Sequence, residues 1–293
     1  TATGAKVYVG TQSNGQGHET VYAQLLHDQT GLPLDQIEIV QGDSDQIAKG
    51  GGTGGSRSVT VQGMAMRATA EMLITGLCAF LDDDMDQRET SFDAAEGVFR
   101  APGSNVVITL LEAAARAKAA GRAELAKVTE TRTLPGRSYP NGCHITEVEI
   151  DPETGTTRVE RYTVVDDFGN LMNPRLAEGQ VHGGVVQGIG QAISEHVVYD
   201  SEGQLLTATF MDYGMPRADD TPFIAFYTEC VPSTANPLGM KGCGEAGTVG
   251  ALAAVANAVQ DALWPLGIRQ VDMPFTPSRV WEMLQHGKAI AAE

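Results

Sequence analysis

Apolar and polar residues alternate over residues 5–11 (Ala-Lys-Val-Tyr-Val-Gly-Thr), the period of two expected of a β-strand. A polar stretch follows, Gln12-Ser13-Asn14-Gly15-Gln16-Gly17. The pattern then turns helical over 18–29, and Gly31 supplies a stop. Pro33 interrupts, and Ile37-Glu38-Ile39-Val40 reads as a second short strand. A glycine-rich loop, 50–58, leads into a long helix over 59–80, rich in Ala and Met. Asp82-Asp83-Asp84 ends that helix as solvated surface. Residues 92–100 read as a strand or hairpin. Thr109-Leu110-Leu111-Glu112 has the form of a capping box, so a helix should run to Ala120, with Gly121 closing it.

Residues 131–139 contain Pro135 and Gly136 and mark a boundary. Beyond it, 145–150, the turn Asp151-Pro152-Glu153-Thr154-Gly155, and 156–165 form a β-hairpin. Asn173-Pro174 starts a helix that carries Gln180, His182, Gln187 and Gln191, with Val181, Val185, Val186 and Ile189 between them. Strand-like pieces follow at 205–210 and 223–228. A loop over 232–247 enters a helix over about 249–263, and Thr276-Pro277 opens a last helix ending near His286-Gly287. The whole reads as α+β, with mixed sheets, packed helices and two subdomains, 1–135 and 136–293.

With 293 residues and 42% hydrophobic content the chain can bury a substantial core. The net charge of −17 argues against nucleic acid as a partner, because phosphate backbones call for clustered Lys and Arg. No contiguous apolar run approaches the roughly 18 residues of a membrane span. Thr1-Ala2-Thr3-Gly4 has neither the positive region nor the apolar core of a secretory signal. It also lacks an initiator Met, which suits a processed product, a fragment, or one half of a split protein. Cys78, Cys143, Cys230 and Cys243 include no C-x-x-C pair, and the six His residues show no metal-binding spacing. The thiols suit a reducing compartment.

Four loops could carry chemistry. Gln16 lies between two glycines and can present its amide while nearby backbone N–H groups point outward. Gly50 to Ser58 combines glycines, hydroxyls, Arg57 and a helix start, which favours an anion over a merely flexible loop. It is neither a Walker loop nor a G-x-G-x-x-G fingerprint. Gly188 and Gly190 flank Ile189 inside a helix, where each costs about 1 kcal/mol relative to Ala. Close approach of a ligand or of another helix would offset that cost. The fourth loop is Lys241-Gly242-Cys243-Gly244-Glu245-Ala246-Gly247-Thr248. Glu245 there is either a positioned base or a negative charge that steadies the following helix through its dipole.

Taken in order, G-T-Q-S-N-G-Q-G-H-E-T (from Gly10), G-G-G-T-G-G-S-R-S (from Gly50), P-N-G-C-H (from Pro140), V-Q-G-I-G-Q-A (from Val186) and G-M-K-G-C-G-E-A-G-T (from Gly239) resemble the xanthine dehydrogenase/aldehyde oxidase/aerobic carbon monoxide dehydrogenase family. The resemblance is to the C-terminal half of the molybdopterin-binding large subunit in bacterial members, and it covers essentially the whole chain. It implies a molybdenum cofactor, Mo-oxo-sulfido, in the molybdopterin cytosine dinucleotide form. Gln16 and Gly17 would contact it near the metal. Gly52, Thr53, Gly54, Gly55, Ser56, Arg57 and Ser58 would bind its phosphate part. Gln187 would hydrogen-bond the pterin region, with Gly244 beside it. Glu245 would be the base that takes a proton from the attacking, water-derived oxygen. The substrate would be an aldehyde or an N-heterocycle, hydroxylated oxidatively.

No residue of this chain is implied as a metal ligand. Electrons would leave through 2Fe-2S clusters and FAD on partner chains. Those partners are an iron–sulfur subunit, a FAD subunit and the N-terminal half of the molybdenum subunit, assembled as a dimer of heteromers. The expected location is cytoplasmic, with a periplasmic one open if a partner carries an export signal. Two features depart from the family pattern. The preceding half of the subunit is absent, and Gly250-Ala251-Leu252-Ala253-Ala254 stands where relatives often carry a proline-bearing segment. A non-catalytic scaffold that keeps the fold, and part of an aerobic carbon monoxide dehydrogenase, are the competing readings.

Overall fold

The computed structural model describes residues 1–86 and 89–292, with side chains through residue 287. The chain forms two compact units. One comprises Thr1–Ser138 with Pro232–Gly242, the other Tyr139–Val231 with Cys243–Glu293. A single cut at 135/136 therefore misses the return of Pro232–Gly242 to the first unit. Local packing explains that return. Leu238 lies so close to Gly63 that a Cβ there would sit 2.9 Å from its Cδ1. Asn236 is buried, and its amide binds both the carbonyl and the N–H of Met240.

In the first unit β1 (Ala5–Tyr8) pairs in parallel with β2 (Ile37–Val40), in register from Ala5↔Ile37 to Tyr8↔Val40. α1 (His18–Thr30) follows β1, and α2 (Ser58–Asp84) follows β2. The strand predicted to Thr11 ends at Tyr8 because residues 9–17 form the loop into α1. β3 (Ser91–Asp93), β4 (Val98–Arg100) and β5 (Val107–Thr109) make an antiparallel sheet, the last strand not legible in the sequence. α3 (Leu110–Ala119) begins behind Thr109, whose hydroxyl accepts from Glu112 N at 3.2 Å. Only half of the capping box forms, since Glu112 pairs with Arg116 at 2.8 Å. The core gathers Leu77 and Leu81 of α2 with Phe99, Ile108, Ala113 and Ala117.

α2 corrects two expectations. It includes the acidic run instead of stopping before it, and Asp82 Oδ1 accepts the N–H of Thr90 at 2.9 Å. By length and composition it is also apolar enough to cross a membrane, with a mean hydropathy of 1.4 over its best window. Thr60, Gln62, Arg67 and Thr69 break up any contiguous apolar run, which is why the sequence pattern gave no such signal. Core helices pass the same test, and Leu77 and Leu81 of α2 are fully buried within this unit.

In the second unit β6 (Asn141–Ile150) and β7 (Thr157–Asp167) form the expected hairpin, longer than predicted at its open end. β8 (Ile224–Thr228) adds in parallel beside β7. Residues 205–210 are not a strand. They contribute only a bridge, Tyr199↔Leu205, and then turn, with Tyr213 N bonding Thr209 O at 2.9 Å. α4 (Pro174–Ile193), α5 (Ala246–Leu263) and α6 (Pro277–Ala292) complete the unit. Asn173 caps α4, accepting from Leu176 N at 3.0 Å. α5 starts earlier than its apolar pattern indicated, and α6 continues past Gly287.

α4 and α5 face each other through stripes four residues apart: Ala177, Val181, Val185 and Ile189 against Ala251, Val255, Val259 and Leu263. Their backbones meet at glycine. A Cβ on Gly188 would sit 2.5 Å from Ala251 Cβ, and one on Gly184 would sit 3.0 Å from Gly247 Cα. Helix–helix contact, not a ligand, thus accounts for the glycine at 188. Gly190 is likewise filled by protein, with Pro216 2.4 Å from a built Cβ.

Candidate functional site

Parallel strands leave a crevice beyond their carboxyl ends, where the connections to the following helices diverge. β1 and β2 of the first unit are built this way, and both predicted loops lie there. They are tied to one another. Gly51 N and Gly52 N donate to Gly10 O at 2.9 and 3.2 Å. Thr53 Oγ1 donates to Gln12 O at 2.5 Å. Gly10 and Gly50 touch backbone to backbone, so a side chain at either would separate the loops. The cleft between them, about 220 Å³, is lined by Gly10, Gln12, Gly42, Ser44, Gly50 and Gly52 among others.

Gln16 turns its carbonyl into its own loop. Oε1 accepts from the Asn14 N–H and from Ser13 Oγ. That leaves Nε2, with its two N–H groups, as the side able to meet an acceptor. In the second loop Gly52, Gly55 and Ser56 all have left-handed backbones, with φ of 67, 64 and 53°. For Ser56 this costs about 1–2 kcal/mol. A Cβ built on Gly52 or Gly54 meets nothing within 4 Å, so this part of the loop is open. The Arg57 side chain lies over Gly55, its Nε 3.8 Å from a built Cβ. Gly242, of the same unit, is pressed against the loop from another side, since a Cβ there would fall 1.6 Å from Ser56 O.

The second unit holds the other two loops. Glu245 occupies the position just ahead of α5, its carbonyl accepting from Val249 N at 3.0 Å and its side chain exposed. Two glutamines of α4, seven residues and so about two turns apart, reach the flanks of this turn. Gln180 Nε2 donates to Gly244 O at 2.9 Å. Gln187 Oε1 accepts from Thr248 Oγ1 at 2.9 Å, and that hydroxyl also lies 3.1 Å from Gly184 O. Gln187, like Gln16, therefore keeps Nε2 as its donor side. Gln180 and Thr248 were not among the sequence-derived site residues, although the seven-residue spacing of the glutamines places both on one face. Burial pushes the Cys243 thiol up to about 11, which disfavours its thiolate near pH 7.

The helix starts at three of these loops differ from those of α3 and α4. α3 and α4 have side-chain caps from Thr109 and Asn173. α1, α2 and α5, the three helices that follow the candidate loops, have none: their leading positions are Gly17, Arg57 and Glu245. The first amides of such helices lack an intrahelical acceptor and, with the dipole, suit an anion. His18 adds an unmet group. It is 3% exposed, its ring lies 5.1 Å from that of Tyr22 in a tilted arrangement, and its buried Nδ1 has no partner. In the first unit the Gln16 amide donor, open backbone amides and Arg57 fit a polyanionic group with several hydrogen-bond acceptors, and in the second unit Gln187 Nε2 offers a further donor beside the Glu245 turn. Among the described residues no three His, Cys, Asp or Glu side chains gather as a metal site.

Burial holds the His18 imidazole below its ordinary value of 6.5. The unfolded chain therefore takes up this proton first as pH falls. The stability of the first unit should decline as pH drops below about 6.5 towards the folded value. Denaturant melts at pH 7.5 and 5.5 should show this slope, and His18→Leu should remove its share.

A family profile described as the molybdopterin cofactor-binding domain matches residues 1–222. The chain is 36% identical over 278 residues to the nicotine 6-hydroxylase large subunit of Paenarthrobacter nicotinovorans, covering 92% of this chain and 34% of that one. It is 33% identical over 287 residues to the carbon monoxide dehydrogenase large chain of Hydrogenophaga pseudoflava, covering 96% and 36%. Among solved structures, carbon monoxide dehydrogenase from Oligotropha carboxidovorans superposes with a TM-score of 0.88 at 31% identity, covering 99% of this chain and 37% of that one. Quinoline 2-oxidoreductase from Pseudomonas putida 86 gives 0.82 at 32%, covering 97% and 37%. The chain thus spans about a third of the length of the relatives it matches. With its α+β units, amide-rich loops and uncapped helix starts, it belongs to the family of molybdopterin cofactor-binding domains found in the large subunits of molybdenum hydroxylases.

Proposed function

We propose that this chain is the part of a molybdenum hydroxylase large subunit that holds the cofactor and supplies the base for substrate hydroxylation. One observation carries the reading: the Glu245 turn, a carboxylate ahead of an uncapped helix, held on both flanks by Gln180 and by Thr248 with Gln187. Once bound, the cofactor supplies a two-electron redox centre. Gln16 and Gln187 bind it by donation from Nε2, and Gly17 and Gly244 let the backbone approach. Residues 52–58 hold its phosphates through backbone amides, with the Arg57 guanidinium offsetting their charge. Glu245 takes the proton from a water-derived oxygen as that oxygen attacks carbon, help worth about 10² to 10⁴ in rate.

The substrate is an aldehyde or an N-heterocycle. Nicotine and quinoline, for which two of the relatives are named, are N-heterocycles. We assign the cofactor its cytosine dinucleotide form, and we place 2Fe-2S and FAD on partner chains. The four cysteines of this chain include no C-x-x-C pair of the kind that commonly ligates a cluster. The partners are then the rest of the large subunit, an iron–sulfur subunit and a FAD subunit, in a dimer of heteromers. Four free thiols suit the cytoplasm.

The test is turnover by the matured complex in ¹⁸O-labelled water, without O₂ and with an artificial electron acceptor. The product should gain the label. A complex that assembles with its partners yet turns over no aldehyde, N-heterocycle or carbon monoxide would support the scaffold reading instead.

A further inference from the structure

A buried polar chain lies behind the Glu245 turn, within the same unit, and none of the chemistry above uses it. His144 of β6 has Nδ1 2.6 Å from the Tyr162 hydroxyl and Nε2 3.4 Å from Asp166 Oδ1, both partners on β7. The side chains of His144 and Asp166 are 7% and 3% exposed. Two glycines make the room. Gly142, opposite Asp166 in the sheet, would put a Cβ 1.8 Å from Asp166 Oδ1. Gly250, in α5, would put one 2.4 Å from His144 Cε1. The His144 ring thus bridges the Tyr162 hydroxyl, at hydrogen-bond distance, and the Asp166 carboxylate, at ion-pair distance.

Such a network is costly to bury and is kept where it fixes something. What it touches is the start of α5. The His144 ring fills the space at Gly250, five residues after Glu245. Asp166 lies near enough to Cys243, two residues before Glu245, that its charge adds to burial in opposing ionisation of that thiol. Asp166 Oδ2 is buried with no partner, so the carboxylate is held by geometry and not by a full set of donors.

We propose that Tyr162, His144 and Asp166 are positioning residues for Glu245: they fix the first turn of α5, and through it the placement of the Glu245 carboxylate. This rests on the reading of Glu245 as the base. The experiment is a double-mutant cycle in the matured complex, read as the single-turnover rate at which substrate reduces the bound cofactor. Asp166→Asn keeps the shape and removes the charge. It should slow reduction about tenfold, with substrate affinity and molybdenum content unchanged, as expected for an interaction that matters only in the transition state. In a Glu245→Gln background the same change should slow the residual rate no further. Hydrogen exchange in peptides covering 243–252 should quicken in Asp166→Asn, while that in 18–30 stays the same.

If Asp166→Asn does not mature, Tyr162→Phe, which deletes one hydroxyl and keeps the ring, takes its place with a drop of roughly threefold. An equal loss in both backgrounds, an unchanged rate, or unchanged exchange at 243–252 overturns the proposal. Failure of the base reading looks different, because Glu245→Gln alone would then leave reduction at the wild-type rate.

Discussion

Glu245→Gln slows reduction of the bound cofactor by substrate by about 10²- to 10⁴-fold while the molybdenum content of the matured complex stays at the wild-type level. The amide has nearly the shape of the carboxylate and can stay at the head of α5, but it cannot take a proton. The two readings left open by the sequence make different forecasts for this variant. A carboxylate that only steadies the helix would, when neutralised, cost about 0.3–1 kcal/mol of stability and nothing in rate. Rapid-mixing absorbance of the complex under substrate excess, beside a metal assay of the same sample, separates them. An unchanged reduction rate removes Glu245 from the chemistry.

Gly242→Ala strips cofactor from the complex without touching the base. Its Cβ would fall 1.6 Å from the Ser56 carbonyl oxygen and 2.6 Å from the carbonyl carbon, both backbone atoms that have no rotamer to yield. Ser56 already sits in a left-handed conformation just before Arg57, the leading position of α2. The overlap is relieved only by moving the loop that carries Gly52 to Ser58. Overpacking of this kind costs about 1–3 kcal/mol, a factor of roughly 5 to 150 if it falls on cofactor binding. The measurement is molybdenum per large subunit after gel filtration. Gly179→Ala, on an exposed face of α4 with nothing within 4 Å of its Cβ, is the matched control and should match wild type. Full occupancy in Gly242→Ala would mean that the loop binds nothing.

Much of this was legible in the chain. The α+β class, the hairpin, and the helices from His18, Asn173-Pro174 and Thr276-Pro277 follow from local periodicity and capping, which act over a few residues. The five ordered motifs placed the chain in the family to which the comparisons assign it. What stayed hidden depends on contacts distant in sequence. Gly188 left ligand and helix packing open until Ala251, sixty-three positions on, was seen against it. Thr248 and Gln180 look like ordinary polar residues until α4 is laid beside α5. Pro232–Gly242 reads as a loop of the second part, and the packing of Leu238 against Gly63 shows where it belongs. Residues 205–210 have a strand's composition but, among the described residues, pair only through the Tyr199↔Leu205 bridge and then turn. The pair His144 and Asp166 gives no signal in sequence, because its meaning lies in the room left by Gly142 and Gly250.

The proposed function depends first on whether this chain, in its complex, holds a molybdopterin dinucleotide. The most direct measurement co-expresses the chain with its natural partners, purifies the matured complex, and assays both molybdenum and acid-released cytidine nucleotide per large subunit. The account predicts both, in equal and near-stoichiometric amounts. A matured, partner-bound complex containing neither would contradict it.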